Sequence, residues 1–160
     1  MRRMKRGVNT AEYRALADIR FLIRLYLNHT ERAVREAGLE PQQYMGMLQL
    51  RGLPAEQQPT IRALAERLQL RHNSVVELVN RMESRGLFRR ERAESDRRCV
   101  LVRITPKGEE LLNRLVQNRI AELRVTGRDL VKSLGVVLGT LPRKRNSHAS
   151  SNRKRSPTKS

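Results

Sequence analysis

The sequence predicts a mostly α-helical fold with one short β-hairpin late in the chain. Three observations point there. Apolar residues recur at helical spacing before Gly86 and again after Thr105, the run RCVLVRIT alternates instead, and Asn9, Thr60 and Thr105 each stand where a helix N-cap belongs. No internal repeat of about 20 to 50 residues is visible, which sets solenoid architectures aside.

Asn9 with Glu12 forms a capping-box pattern, and Leu16, Ile19, Ile23 and Tyr26 follow at helical spacing, so a long first helix is expected from about Thr10 towards Gly38. Phe21, Leu22 and Leu25 give it a second apolar side, more than a lone surface helix needs, and it is expected to meet both its own domain and a partner subunit. Pro41 suits a first helical position and PQQYMGMLQL a short second helix ending near Gly52 and Pro54, with PAEQQP as a loop. Thr60 caps a third helix whose Ile61, Leu64, Ala65 and Leu68 share one face, and Val75, Leu78, Val79 and Met82 repeat that spacing in a fourth. Only Gln69 to His72 separate these two, which is the pattern of a helix-turn-helix.

After Gly86, LFRRER and RCVLVRIT read as strands, the second with Val100, Val102 and Ile104 on one face, and AESD as the turn between them. A helix pair followed by a hairpin is a winged helix in outline. Thr105 as N-cap, Pro106 in the first turn, and Glu109 and Glu110 near the positive end of the helix dipole begin a last long helix. Its stripe is Leu112, Leu115, Val116, Ile120 and Leu123, while Gly127 and Gly135 leave open whether one helix or two run to Leu141. The segment 143–160 has no aromatic, branched aliphatic or acidic residue and is expected to be disordered.

The 160 residues are one domain's worth of chain, with 34 Lys and Arg against 16 Asp and Glu and a net charge of +18. Residues 1–6 hold 4 of the basic side chains and residues 143–160 hold 7, neither with an acid, so residues 7–142 keep 23 against 16, or +7. An excess of this size calls for an acidic partner, and a chain with five aromatics and no Trp has little on which to stack single-stranded bases. Duplex DNA is the expected partner. The longest apolar stretches, FLIRLYL and LVKSLGVVLGTL, are interrupted by Arg24 and Lys132 and fall short of the roughly 20 residues of a membrane span. MRRMKR is followed by GVNTAEYRALADIR where a signal peptide would turn apolar, and the lone Cys99 cannot form an internal disulfide, so a cytoplasmic setting is expected. His29, His72 and His148 are scattered, with no H-E-x-x-H, G-x-S-x-G or phosphate loop. No enzyme activity, metal or cofactor is expected.

The run TIRALAERLQLRHNSVVELVNRMESRGLFRRERAESDRRCVLVRITPKGEELL resembles the winged-helix region of the MarR family of bacterial transcription regulators. Asp96-Arg97-Arg98 followed by VLVRITPKG is the most specific piece, matching that family's wing signature, and AGLEPQQYMGMLQLRGLP resembles the approach to the second helix. The similarity spans about residues 10–130. It implies a two-fold dimer in which the N- and C-terminal helices form a dimerisation layer above the winged helices. It also implies a recognition helix within residues 71–85 for the major groove, a wing arginine, Arg98, for the minor groove with Asp96 orienting it, and a small-molecule effector between the two layers. Family thiol sensors carry their cysteine near the first helix, whereas Cys99 lies on the wing strand.

With Val75 at the centre of its buried face, the fourth helix turns Asn73, Glu77, Asn80 and Ser84 to the opposite side. Asn73 suits a bidentate adenine contact, Val76 a thymine methyl, and Arg71 and His72 in the turn suit phosphates. Ser74 and Glu77 fit base contact and a Ser-x-x-Glu capping box equally, and Arg81 completes the helix set. Arg89, Arg90, Arg92, Arg97, Arg98 and Arg103 crowd the wing. Arg90, Arg97 and Arg98 are expected on DNA and Arg103 in solvent. The reading is a basic arm over 1–8, a domain over 9–142 and a basic tail over 143–160. The winged helix-turn-helix takes 59–105 and the dimerisation helices take 9–50 and 106–142. The function read from it is a dimeric, sequence-specific regulator of transcription, a ligand-responsive repressor on a pseudo-palindromic operator. A nucleoid-associated protein of low sequence specificity is the alternative, and an interaction module with a vestigial helix-turn-helix ranks third.

Overall fold

The computed structural model describes residues 7–94 and 99–140. The basic arm up to residue 6, the second half of the AESD turn, the wing residues Asp96, Arg97 and Arg98, and the basic tail lie outside the described residues.

Helix α1 runs over Thr10–Glu36, and its capping box forms as expected: the Glu12 N–H donates to Asn9 Oδ1 at 3.0 Å and the Asn9 N–H to Glu12 Oε2 at 2.9 Å. Its buried seam is Ala15, Ile19, Thr30 and Val34. That differs from the expected stripe, because Leu16 and Ile23 face outward. The helix packs along α5. A Schellman motif ends α1. The Leu39 N–H donates to Val34 O at 3.0 Å and the Gly38 N–H to Arg35 O at 2.9 Å, with Gly38 at φ +75°, a conformation that favours glycine.

Helix α2 covers Pro41–Arg51 and begins on its proline, as read. Thr60 caps α3, Ile61–Leu68, by accepting from the Ala63 N–H at 3.1 Å. Gln69 closes α3 in the left-handed region at φ +54° and turns the chain into α4, His72–Ser84. Val75, Leu78, Val79 and Met82 are completely sequestered, at 0–1 % exposure. Strands β1, Phe88–Arg92, and β2, Val100–Ile104, pair antiparallel with Phe88 opposite Ile104 and Arg92 opposite Val100.

The expected one-sided face of β2 is only partly kept. Val102 is fully buried, but Val100 is exposed and Leu101 is buried on the other side. The chain entering α3 lies along the second edge of β2: Thr60 bridges to Leu101, and the Val102 N–H donates to Pro59 O at 2.7 Å, so the strand is paired on both edges.

Helix α5 is a single helix over Pro106–Leu138 with Gly127 and Gly135 inside it, which resolves the point left open by the sequence. Thr105 ties its start to the strand: the Thr105 N–H donates to Leu87 O at 3.0 Å, Oγ1 donates to Gly86 O at 2.7 Å, and Oγ1 accepts from the Gly108 N–H at 3.2 Å. Gly108 is required by that approach. A Cβ there would stand 2.5 Å from Leu87 O and 2.6 Å from Ile104 Cγ2, and the first of these is backbone that cannot swing aside. One core joins Val34, Leu39, Met47, Leu64, α4's four residues, Phe88, Val102 and Leu112. We expect Gly108→Ala to destabilise the chain by about 1–3 kcal/mol in urea unfolding, as overpacking does. An unchanged midpoint would mean that α5 can lift off Leu87 freely.

Candidate nucleic-acid interface

Burial of the α4 stripe leaves Arg71, His72, Asn73, Ser74, Glu77, Asn80, Arg81 and Ser84 exposed, with Val76 half-buried at the edge. The helix starts earlier than the sequence reading placed it, since Arg71 is the N-cap and His72 the first helical residue rather than part of the turn. This settles one alternative. Ser74 is the third helical residue, so it cannot cap, and Glu77 instead lies 3.9 Å from Arg81 across one turn. That pair is exposed and adds little stability.

The hairpin body is more balanced in charge than its sequence suggests. Arg89 lies 2.6 Å and Arg103 3.4 Å from the two Glu91 oxygens. Arg90 turns back onto α4. Its Nη1 pairs with Glu83 Oε2, its Nη2 donates to Asn80 Oδ1 at 2.8 Å, and its backbone N–H donates to Glu83 Oε1 at 2.9 Å. The wing strand is thereby bracketed to the C-terminal half of the exposed helix. Cys99 precedes β2 half-buried, with Sγ donating to Gln58 Oε1 at 3.6 Å.

Two polar junctions escaped the sequence reading, because their members are far apart in the chain. Between α1 and α5, His29 Nδ1 lies 2.6 Å from Glu122 Oε1, while Arg119 Nη1 donates to Glu122 Oε2 at 2.7 Å. The Nε of Arg119 is buried and, among the described residues, has no hydrogen-bond partner. Burial and the neighbouring Tyr26 push the nearby Tyr44 phenol above its ordinary pKa, against the opposing pull of Arg119. At the end of α4, Arg85 Nη1 donates to Gln43 Oε1 at 2.9 Å and Nη2 to Gly38 O at 2.8 Å. Beside it opens a cleft of about 430 Å³ lined by Glu31 and Arg35 of α1, Glu40 to Gln43, and Leu78 and Arg81 of α4.

Among the described residues no group of three or more His, Cys, Asp or Glu could hold a metal ion, and no helix is long and apolar enough to cross a membrane. The side chains of Arg90 and Glu83 are about a quarter to a third exposed. A double-mutant cycle over Arg90→Ala and Glu83→Ala should therefore return a coupling of about 1–2 kcal/mol in stability. A value near zero would reduce the bracket to an ordinary surface pair.

Residues 37–98 match the model of the MarR family. A search of curated protein sequences finds no significant match. Among solved structures, the fold is similar to AbsC, a MarR family transcriptional regulator from Streptomyces coelicolor, at 23 % identity and a TM-score of 0.63 over 85 % of this chain and 95 % of that one. It is also similar to the YusO protein from Bacillus subtilis, at 15 % identity and a TM-score of 0.59 over 84 % and 97 %. The transcriptional repressor CouR, bound to a 23-mer DNA duplex, is 29 % identical with a TM-score of 0.58 over 76 % of this chain and 86 % of that one. With the helix pair, the hairpin and the exposed face of α4 arranged as above, the chain has a winged helix-turn-helix fold and is similar over residues 37–98 to the MarR family of transcriptional regulators.

Proposed function

We propose that the chain is a dimeric repressor that recognises a pseudo-palindromic stretch of duplex DNA and releases it on binding a small molecule. The observation that carries this reading is α4 itself, fully buried along one face and open along the other, where Asn73 stands one turn before Glu77 and two turns before Arg81. In this reading Asn73 contacts adenine bidentately, Val76 meets a thymine methyl, Ser74, Glu77 and Arg81 line the rest of the major groove, and Arg71 and His72 hold phosphates. Arg98, oriented by Asp96 and flanked by Arg97, enters the adjacent minor groove. The similarity to CouR, a repressor bound to DNA, supports the sign of regulation. The cleft between the α1–α2 corner and α4 is space for an effector between the two layers. Such a regulator works at the nucleoid, in a bacterial cytoplasm.

The dimer is supported by surface that one chain cannot cover. Tyr13, Leu16, Phe21 and Leu27 of α1 and Val125, Val131, Val137 and Leu138 of α5 are all exposed, a run of large apolar side chains on the two long helices that frame the winged helix. In this division 9–50 and 106–142 form the dimer layer and 59–105 the reading unit. Sedimentation at micromolar concentration should show a dimer and no monomer. A clean monomer would remove the two-fold operator with it.

The charge of +18, with 11 of the 34 basic residues in segments 1–6 and 143–160, favours a second reading, a protein that coats DNA with little regard to sequence. Selection from random duplexes followed by footprinting separates the two. A repressor enriches one palindrome with half-sites about one helical turn apart, whereas a coating protein protects uniformly. On the selected site, Asn73→Ala should cost about 1–3 kcal/mol, with almost no loss on random DNA. Removal of 143–160 should weaken both alike and flatten the salt dependence by about 0.9 unit for each phosphate that the tail had neutralised. Equal loss on both DNAs in Asn73→Ala would favour the coating reading.

A further inference from the structure

We propose that Arg85 is a positioning residue that sets the separation of the two recognition helices and so the half-site spacing the dimer accepts. The inference rests on the dimeric reading above. It starts from how unevenly α4 is held. Along its buried face it packs against α2, α3 and β1, where close packing fixes position to a fraction of an ångström. Towards α1, the helix of the dimer layer, Val34 joins the same core, but beside it a cleft of about 430 Å³ opens, lined by Leu78 and Arg81 of α4, Glu31 and Arg35 of α1 and residues 40–43. Packing does not set the distance across an open gap. A polar strut can.

Arg85 is that strut. It is the C-cap of α4, so its backbone moves with the end of the recognition helix. Its planar fork reaches two acceptors on separate elements, Gln43 Oε1 of α2 at 2.9 Å and Gly38 O of the α1–α2 corner at 2.8 Å, a geometry that fixes direction as well as distance. Both acceptors are themselves held. Gln43 is 6 % exposed, and its Oε1 also accepts from the Glu40 N–H at 3.0 Å. Gly38 is locked in the Schellman motif that ends α1. From the other side Lys107 Nζ of α5 donates to Arg85 O at 3.0 Å, so both long helices grip this residue. A shift at Arg85 would swing α4 relative to the two-fold axis while leaving its stripe packed. One base pair of spacer displaces a half-site by about 3.4 Å and turns it by about 35° around the DNA axis, so the accepted spacing depends on how firmly the two recognition helices are held.

The test uses the full chain and palindromes built from the selected half-site, with the spacer at its optimum and one base pair shorter or longer. Wild type should prefer the optimum by about tenfold or more, and Arg85→Ala should compress that ratio to about threefold or less. Binding to a duplex carrying a single half-site, and the loss caused there by Asn73→Ala, should not change. Arg85→Lys keeps the charge without the fork and should follow the alanine variant. A uniform fall in affinity with the ratio intact would overturn the strut as a merely structural group. A ratio lost in the alanine variant but kept in full by lysine would overturn it too, assigning the effect to charge on DNA. If the wild-type dimer shows no spacer preference, the operator reading fails and this inference with it; if wild type prefers one spacer and both variants keep the preference, only the strut fails.

Discussion

The complete burial of Val75, Leu78, Val79 and Met82 is the constraint on which the rest of the molecule depends. Each such side chain contributes about 1.5–3 kcal/mol relative to leaving it in water. Rotating α4 by one residue, about 100°, would bring Val76, Val79, Asn80 and Glu83 to the core in their place. Two of those four are polar, and no partner waits inside for them. The face that carries Asn73, Glu77 and Arg81 is therefore fixed by the hydrophobic core and not by the residues on it. In the proposed reading, substitution on the exposed face changes what is read without changing how the helix is held.

The wing inherits its position from the same core through backbone contacts. β1 leaves α4 by way of Leu87, whose carbonyl receives the Thr105 N–H and against which Gly108 lies without a side chain. Arg90 then adds a side-chain bracket from β1 to Glu83 and Asn80. Within the hairpin body, Glu91 pairs with both Arg89 and Arg103 and Glu83 pairs with Arg90, which leaves one net positive charge among the five. Those three arginines shape the hairpin more than they add field.

Short-range features were legible in the sequence. The caps at Asn9, Thr60 and Thr105 and the α3 and α4 stripes each depend on residues within one or two turns, and each forms as read. The departures occur where a distant segment decides. Leu16 and Ile23 lie outside the buried α1 seam on a helix packed along α5, and Leu101 is buried on a strand whose second edge is taken by residues 59–60. Ser74 and Glu77 carry a capping-box spacing, but Gln69 takes the left-handed turn and starts α4 at His72, which places Ser74 inside the helix. The fork of Arg85 spans 42 and 47 residues of sequence to acceptors with no motif of their own, so nothing local announces it.

Packing quality divides the molecule in a way that suits the proposed control by a ligand. Inside the reading unit the contacts are apolar and closed. Towards α1 the same core reaches Val34, but beside it the contacts are a gap and a polar strut, and the α1–α5 junction keeps a buried Arg119 Nε without a partner among the described residues. Driving a two-state equilibrium from one extreme to the other takes about 5.5 kcal/mol of differential binding. Hydrogen bonds to a charged group contribute about 1.5–3 kcal/mol each, so exchanging two or three of them is the right scale, whereas opening a four-residue hydrophobic stripe would cost more than a small molecule returns. In the proposed function, a ligand would therefore work by moving the proposed reading unit as a body against the proposed dimer layer, with α4 intact.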